Sequence, residues 1–419
     1  MQQFRAFTSS FTSAAKEFAR DISSATSEGA TTGRQYQING KNLVEEKLLS
    51  EGGFGFVYLV RELTTGMMYV VKKILCMDKE HLDMAMREVE IFQKLPVHPN
   101  LVRYFGHLVL KESRNREVVI LLEYCPGGHL YDLMKANPNG VSTPKIIRSI
   151  LDVARGLLAL HSMKPPIQHR DLKLENVLMS SSGTYVILDF GSWGSDSPKL
   201  CDLSREELMR FGESVERYTT LMYRPPEMAD LYKGFQVSTK VDIWMLGCIL
   251  FTLINNKHPF QDASNLAIVN CKFSHNVDMC KQRPAKLVHL CDWLLAQNPI
   301  DRPDANQLVS LLEKWDDATP LPSLPRPVLD RIEKDNKLYG IAGDAKKKPS
   351  KIATGDAGWA TCDTGQQDNS PKWKADFGDL LDMQGDHAQS EVAASEATVV
   401  IDQKRRSSAP IVDLPNLLD

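Results

Sequence analysis

From Leu43 to Leu75 apolar and polar positions alternate with a period of two around a glycine-rich turn. That pattern predicts a strand, a turn and two further strands. Ile91, Phe92 and Leu95 then recur at helical spacing and predict an amphipathic helix carrying Glu88, ended by His98-Pro99-Asn100. Leu101 to Val109 reads as strand, and Val118 to Leu122 is a short continuously apolar run, the pattern of a buried strand. Glu123-Tyr124-Cys125-Pro126-Gly127-Gly128 breaks it. From Ser142 to His161 the apolar spacing is helical again, and Tyr185 to Leu188 reads as a buried strand running into Asp189-Phe190-Gly191. Val241 to Phe251 is apolar nearly all round, which predicts a core helix in which Asp242 needs partners. Backbone amides of the 168–176 loop would satisfy it. Arg302 precedes what reads as the last helix, and pairing with Glu227 would pin the two ends of this region together.

The two ends of the chain follow other patterns. Phe4, Phe7, Phe11, Phe18 and Ile22 share one face if residues 1–22 are helical, with Arg5, Lys16, Glu17, Arg20 and Asp21 off that stripe. Three readings stand: a helix packed on the folded body, an amphipathic helix on a membrane surface, and a transit peptide. Early acidic residues count against the last. Residues 23–34 read as a linker. After four prolines between 320 and 327, Gly, Asp, Ser, Lys and Gln dominate, the composition of a disordered tail. The chain therefore divides into a leader and linker over 1–38, a folded body over 39–315 and a tail over 316–419.

Composition narrows the class. A formal net charge of −3 over 419 residues argues against a general nucleic-acid binder. No apolar run approaches the roughly 20 residues that span a bilayer. Eight cysteines without a Cys-x-x-Cys pair read as reduced thiols of a cytoplasmic protein.

The chemistry concentrates in Gln168-His169-Arg170-Asp171-Leu172-Lys173-Leu174-Glu175-Asn176. Asp171 can accept a proton from a hydroxyl, Lys173 can neutralise a phosphoryl group, and Asn176 can hold a metal ion. Asp189, at the end of a buried strand, supplies a second oxygen ligand for a divalent cation. Gly52, Gly53 and Gly55 allow backbone amides close to phosphates, although Ser50 stands where the phosphate-loop template has its first glycine. A lysine flanked by β-branched residues needs a partner if buried. The candidates are Lys72 with Glu88, with Lys73 and Glu90 as the alternative inward residues.

In this order the parts resemble a eukaryotic protein kinase over 39–315. They are the loop at 50–57, Lys72, Glu88, His169-Arg170-Asp171, Asn176, Asp189-Phe190-Gly191, Pro225-Pro226-Glu227, Asp242 and Arg302. The resemblance implies an α+β, two-lobe fold: a small, mainly antiparallel lobe with one helix over 39–122, and a large, mainly helical lobe over 126–315. It implies ATP and Mg2+ as cofactors and a protein substrate with a serine or threonine acceptor. Lys72 would hold the α/β-phosphates with Glu88 orienting it, Asp171 would be the base, and Asn176 and Asp189 would hold the metal. Glu123 and Cys125 would bind adenine through their backbones, Leu122 would be the gatekeeper, and Ser50, Val57, Val70 and Leu178 would complete the nucleotide site. Phe92, Tyr104, His169 and Phe190 align with the regulatory spine. Lys173 and Thr220 fit the serine/threonine branch, in which the threonine bonds the catalytic aspartate and lysine. Pro225 replaces the usual alanine of Ala-Pro-Glu.

Arg170 would want an anion: a phosphate on Ser195, Ser197, Ser204, Ser214 or Thr219, or the carboxylate of Glu213 or Glu216. The segments 49–54, 189–192 and 218–232 resemble the Numb-associated kinase family, whose adaptor-associated and cyclin-G-associated members act on clathrin adaptors. By that resemblance an extra helix follows Glu227. In the tail, Phe377-Gly378-Asp379-Leu380 resembles peptides bound by adaptor ear domains, and 376–381 and 413–418 fit acidic dileucine spacing. Lys404-Arg405-Arg406-Ser407-Ser408 reads as a site for a basic-directed kinase or as a solvated charge run. The expected location is cytoplasmic, with peripheral contact at coated vesicles, endosomes or the plasma membrane through the leader helix. Two further readings stay open: a kinase with unrelated substrates, and a nucleotide-binding scaffold that recruits adaptors through its tail.

Overall fold

The computed structural model of the chain describes residues 33–52, 55–112, 115–261 and 264–339. The leader helix, Gly53, the adaptor-like peptides and the basic run at 404–408 lie outside them. The smaller lobe is one antiparallel sheet in the order β1-β2-β3-β4-β6-β5. Its strands are β1 Gln35–Ile38, β2 Lys41–Gly52, β3 Gly55–Glu62, β4 Met68–Cys76, β5 Tyr104–Glu112 and β6 Asn115–Glu123. The period-two pattern sorts the side chains of β4 and β6 onto two faces. Ile74, Ile120 and Leu122 join the main core, whereas Tyr69, Val71, Val119 and Leu121 build a separate cluster with Tyr36, Ile38, Leu43 and Val60.

Seven helices longer than eight residues occur among the described residues. They are α1 Lys79–Lys94, α2 Thr143–His161, α3 Arg205–Tyr218, α4 Lys240–Asn255, α5 Ala285–Leu294, α6 Ala305–Glu313 and α7 Arg326–Tyr339. Helix α1 starts because the Asp78 side chain accepts the His81 N–H, and its buried stripe of Ala85, Glu88, Val89, Ile91 and Phe92 lies toward the sheet. Helix α4 is buried on every side, as its apolar sequence requires. Its Asp242 carboxylate takes the His169 and Arg170 backbone N–H groups, both at 2.9 Å, together with His161 Nε2 at 2.9 Å. Arg302 and Glu227 form a bidentate pair at 2.6 and 2.8 Å with both side chains wholly buried. Among the described residues no helix is long and apolar enough to cross a membrane.

The folded region extends past 39–315 on both sides. Strand β1 pairs with β2 and buries Tyr36 and Ile38, so 35–38 belongs to the sheet and not to a leader. At the other end α7 buries Val328 and Ile332. Its Arg331 lies 3.6 Å from the Phe273 ring centroid and donates to the carbonyls of Cys271 and Phe273, so α6 is not the last helix.

Candidate active site

A short antiparallel pair, β7 Val177–Met179 and β8 Tyr185–Ile187, carries the two central loops. The loop before β7 holds Asp171, Lys173 and Asn176, and the turn after β8 holds Asp189. Two residues here adopt a left-handed backbone, Arg170 with φ 66° and Asp189 with φ 60°. Side chains other than glycine hold that conformation only where their surroundings impose it. At Arg170 the two N–H bonds to Asp242 do so.

Lys72 comes from β4 on the main-core face. Its Nζ lies 2.7 Å from Glu88 Oε1 and 2.8 Å from Asp189 Oδ1. Burial opposes its charge, but Asp189 and Glu88 together hold the ammonium above its ordinary range. The Lys72 charge, acting against burial, brings the Asp189 carboxyl down to about 2, and 44% of that side chain remains exposed. Burial pushes the Glu88 carboxyl up. The alternative inward residues fall elsewhere. Glu90 faces solvent beside Lys94, and Lys73 is buried on the opposite face.

The second group centres on Asp171. Its Oδ1 accepts the Thr220 N–H at 3.0 Å and the Thr220 hydroxyl at 2.7 Å, and its Oδ2 accepts Lys173 Nζ at 2.6 Å. Lys173 also donates to Thr220 Oγ1 at 3.1 Å. Asn176 Nδ2 donates to the Asp171 carbonyl at 2.8 Å, which leaves its Oδ1 as the atom available to a cation. A cavity of about 560 Å3 opens onto both groups, lined by Lys72, Glu88, Asp171, Lys173, Asp189 and Tyr218 among others.

The residues expected around a nucleotide lie along the same sheet face. Val57 pairs with Lys72, and Val70 pairs with Leu122. Val57, Val70 and Leu178 are half-buried, Leu122 and Cys125 are buried, and Glu123 closes β6. Ser50 is exposed on β2, and Gly52 faces Gly55 across the hairpin. Gly55 has φ 144°, and a Cβ there would come within 1.8 Å of the Lys73 carbonyl oxygen, so only glycine fits. The rings of Tyr104, Phe92, Phe190 and His169 form a continuous chain of contacts, the first stacked and the next two edge-on, with successive centroids 5.7, 5.6 and 5.2 Å apart.

Two expectations are corrected. The extra helix expected after Glu227 is not seen there, where only the short Pro226–Ala229 helix and a 3-10 turn over Leu231–Lys233 precede α4; a longer helix, α3, lies before Glu227 instead. A readable signal was available, because Ser204 and Glu207 form a capping box and Leu208, Phe211 and Val215 share one face. The carboxylate beside Arg170 is not that of Glu213 or Glu216. It is Asp196, whose Oδ1 lies 2.8 Å from Arg170 Nη2. Asp196 was missed because nothing nearby in sequence separates it from the other acids of the segment.

Helix α1 is tied to the segment after Gly191. Arg87 Nη2 donates to the Trp193 carbonyl at 3.1 Å and Trp193 Nε1 donates to the Arg87 carbonyl at 3.0 Å. Arg217 at the end of α3 pairs with Glu80 at 2.6 Å.

This fold and these paired groups are those of a protein kinase. The protein kinase domain model matches residues 43–312, and the chain belongs to that family. Its relatives are of the serine/threonine kind. A "Probable serine/threonine-protein kinase" of Dictyostelium discoideum is 38% identical over 301 residues, 68% of this chain and 36% of the relative. A second from that organism is 31% identical over 315 residues, 74% of this chain and 28% of the relative. A serine/threonine-protein kinase of Schizosaccharomyces pombe is 32% identical over 279 residues, 66% and 29% of the two chains. The matched region thus spans about a third of the length of these relatives.

Proposed function

We propose that the chain transfers the γ-phosphoryl group of ATP, with Mg2+, to serine or threonine hydroxyls of proteins, and that its substrates are clathrin adaptors or other membrane-traffic proteins. The observation that carries the reading is Lys72 Nζ bridging Glu88 and Asp189 on the cavity that Asp171, Lys173 and Thr220 also line.

The residues fit the cofactors. Asp189 is ionised at neutral pH and partly exposed, and Asn176 offers Oδ1, so two oxygens can hold a hard cation without releasing a proton. ATP supplies the phosphoryl group, and Mg2+ supplies charge to its oxygens. Lys72 would hold the nucleotide's phosphates, with Glu88 keeping its ammonium aimed. Asp171, fixed by both Thr220 donors and by Lys173, orients the substrate hydroxyl and accepts its proton at a carboxylate oxygen. Lys173, beside Asp171 and Thr220, would neutralise charge on the transferring group. Positioning and charge neutralisation account for most of such a barrier reduction.

The substrate class rests on the likeness of 49–54, 189–192 and 218–232 to the Numb-associated kinases and on the adaptor-like peptide at 377–380. The same likeness supports a cytoplasmic location at coated membranes. The test is phosphate transfer from ATP by the purified full chain to a threonine peptide from an adaptor medium subunit, beside Asp189→Asn. Transfer by the wild type and none by the variant supports both parts. Autophosphorylation without adaptor transfer removes the substrate class. No transfer with ATP still bound replaces the enzyme by a scaffold.

A further inference from the structure

We infer that Arg224 is a positioning residue for phosphotransfer: it caps the carboxyl end of α3 and thereby fixes the Thr220 donors on Asp171. The inference rests on the phosphotransfer reading and adds to it the residue that sets the acceptor side of the site.

A helix leaves its last carbonyls without partners of its own, and its carboxyl end carries partial negative charge. Helix α3 ends at Tyr218, and Thr219 and Thr220 follow directly. Thr220 holds Asp171 through its N–H at 3.0 Å and its hydroxyl at 2.7 Å. The negative end of α3 therefore lies two residues from the donors of the carboxylate that takes the substrate proton. Tyr218, Thr219 and Thr220 line the same cavity as Lys72 and Lys173. An uncapped end there would fray and would oppose the anionic phosphates. Side chains meet the need. Arg224 Nε donates to Thr219 Oγ1 at 2.7 Å, and Arg224 Nη2 donates to the Glu216 carbonyl at 3.2 Å and to the Thr219 carbonyl at 3.0 Å. Thr219 donates its own hydroxyl to the Val215 carbonyl at 2.6 Å. From the start of the segment, Ser192 donates to the Tyr218 carbonyl.

The local sequence returns Arg224 to that end. A 3-10 turn over Leu221–Tyr223 folds the chain back, with the Tyr223 N–H on the Thr220 carbonyl at 3.0 Å and the Arg224 N–H on the Leu221 carbonyl at 3.1 Å. Pro225 and Pro226 then fix the backbone entering the short Pro226–Ala229 helix. Arg224 is half-buried and lines the cavity beside Asp171, Lys173 and Thr220. Burial opposes its charge, while Glu216 and Asp171 favour it. Its donors go to uncharged oxygens, so the residue acts as a helix cap and not as half of an ion pair. Releasing Arg224 would loosen Thr219, and with it the N–H and hydroxyl of Thr220 that aim Asp171. The nucleotide side, where Lys72 meets Glu88, shares none of these bonds.

The experiment measures steady-state transfer from ATP to a serine/threonine peptide by the full chain, with urea midpoints recorded beside the rates. Wild type is compared with Arg224→Ala, Arg224→Lys, Thr220→Ala and the Arg224→Ala/Thr220→Ala double variant. Arg224→Ala is expected to lower kcat about tenfold with KM for ATP within about twofold, because the acceptor side loses its positioning and nucleotide binding is kept. Arg224→Lys, which keeps a cation at the helix end, recovers about threefold of that loss. In the double variant the two losses combine to less than their product, because both act on Asp171 through one residue. If Arg224→Ala fails to fold, Arg224→Gln, which keeps a donor and removes the charge, decides by the same split. Arg224→Ala with the wild-type kcat, whatever its urea midpoint, overturns the inference. So does a loss confined to KM for ATP, or a full product of losses in the double variant. A wild type that binds ATP but transfers nothing overturns the phosphotransfer reading and this inference with it.

Discussion

Lys72 and Lys73 are neighbours on β4, and each is held in an ion pair inside the smaller lobe. The alternation of the strand sends them to opposite faces. Lys72 lies between Glu88 and Asp189 on a cavity. Lys73 pairs with Glu45 at 2.6 Å, and its Nζ sits 3.8 Å from the centroid of the Tyr58 ring. Tyr36 from β1 completes that group by donating its hydroxyl to Glu45. Both pairs are close and both lysines are largely shielded, with 18% and 7% of their side chains exposed, so neither distance nor burial marks the one with a chemical role. The surroundings do. Lys72 faces two carboxylates, one of them partly exposed to a cavity large enough for a ligand, whereas Lys73 faces one carboxylate under aromatic rings.

Exchanging each lysine for methionine separates the two roles most widely. Lys72→Met is expected to lower kcat by about 100- to 1000-fold, the loss seen when a preorganised charge is removed from a transition state. Its thermal midpoint should fall only slightly, because Glu88 can take up a proton once its partner has gone. Lys73→Met should keep phosphotransfer within about threefold. It should cost roughly 2–4 kcal/mol of unfolding free energy, because it leaves Glu45 partly buried without its cation. Peptide phosphorylation and urea denaturation measure the two. If Lys73→Met lost activity as steeply as Lys72→Met without losing stability, the contrast between the faces would be wrong.

The comparison also explains what could be read from the chain. The Lys72, Glu88, Asp171, Asn176 and Asp189 positions were legible because each sits in a short stretch whose residue types and order serve one reaction. Asp242 and the Arg302–Glu227 pair were legible because a charge in an apolar helix, or ahead of one, needs a partner. Lys73 was not. Its partner depends on strand register, and Tyr36 comes from a strand of four residues next to a polar linker. Asp196 was hidden for a related reason: it meets Arg170 through a loop bridge that has no local pattern. Helix α7 follows a run of prolines and a polar composition, which outweighed the few apolar residues, Val328 and Ile332 among them, that dock it. Contacts set by tertiary placement of single polar residues leave little trace in periodicity.

Acid dependence sharpens the contrast at a smaller scale. Lys72 holds Asp189 at about 2 against its ordinary 3.8. A carboxyl with a depressed folded value adds stability above the unfolded value, and that stability is lost as pH falls from about 4 toward about 2. Asp189 is partly exposed, so screening limits the amount to about 1 kcal/mol. Without Lys72 this acid-side loss should shrink. Glu88, already raised by burial, should rise further and favour the folded state on acidification. Urea midpoints between pH 5 and 3 should therefore fall less steeply for Lys72→Met than for wild type, while Lys73→Met keeps the wild-type slope. Parallel slopes for wild type and Lys72→Met would mean that Asp189 draws its low value from elsewhere.

The smallest effect tests whether the outer face is a unit of its own. Tyr36→Phe removes one hydrogen bond to an ionised acceptor and keeps the ring that covers Lys73. The expected cost is about 1–1.5 kcal/mol. Tyr36 and Lys73 share Glu45, so the second substitution acts on a carboxylate already disturbed by the first. The double variant Tyr36→Phe/Lys73→Met should differ from the sum of the single losses by at least about 0.5 kcal/mol. Tyr36→Phe with Lys72→Met should be additive, because the sheet lies between them and no side chain is shared. Phosphotransfer by Tyr36→Phe should match wild type. Coupling between Tyr36 and Lys72, read as a kcat loss in Tyr36→Phe or as non-additive stability, would show that the outer network reaches through β4 to the cleft. The two lysines would then belong to one charge system instead of two.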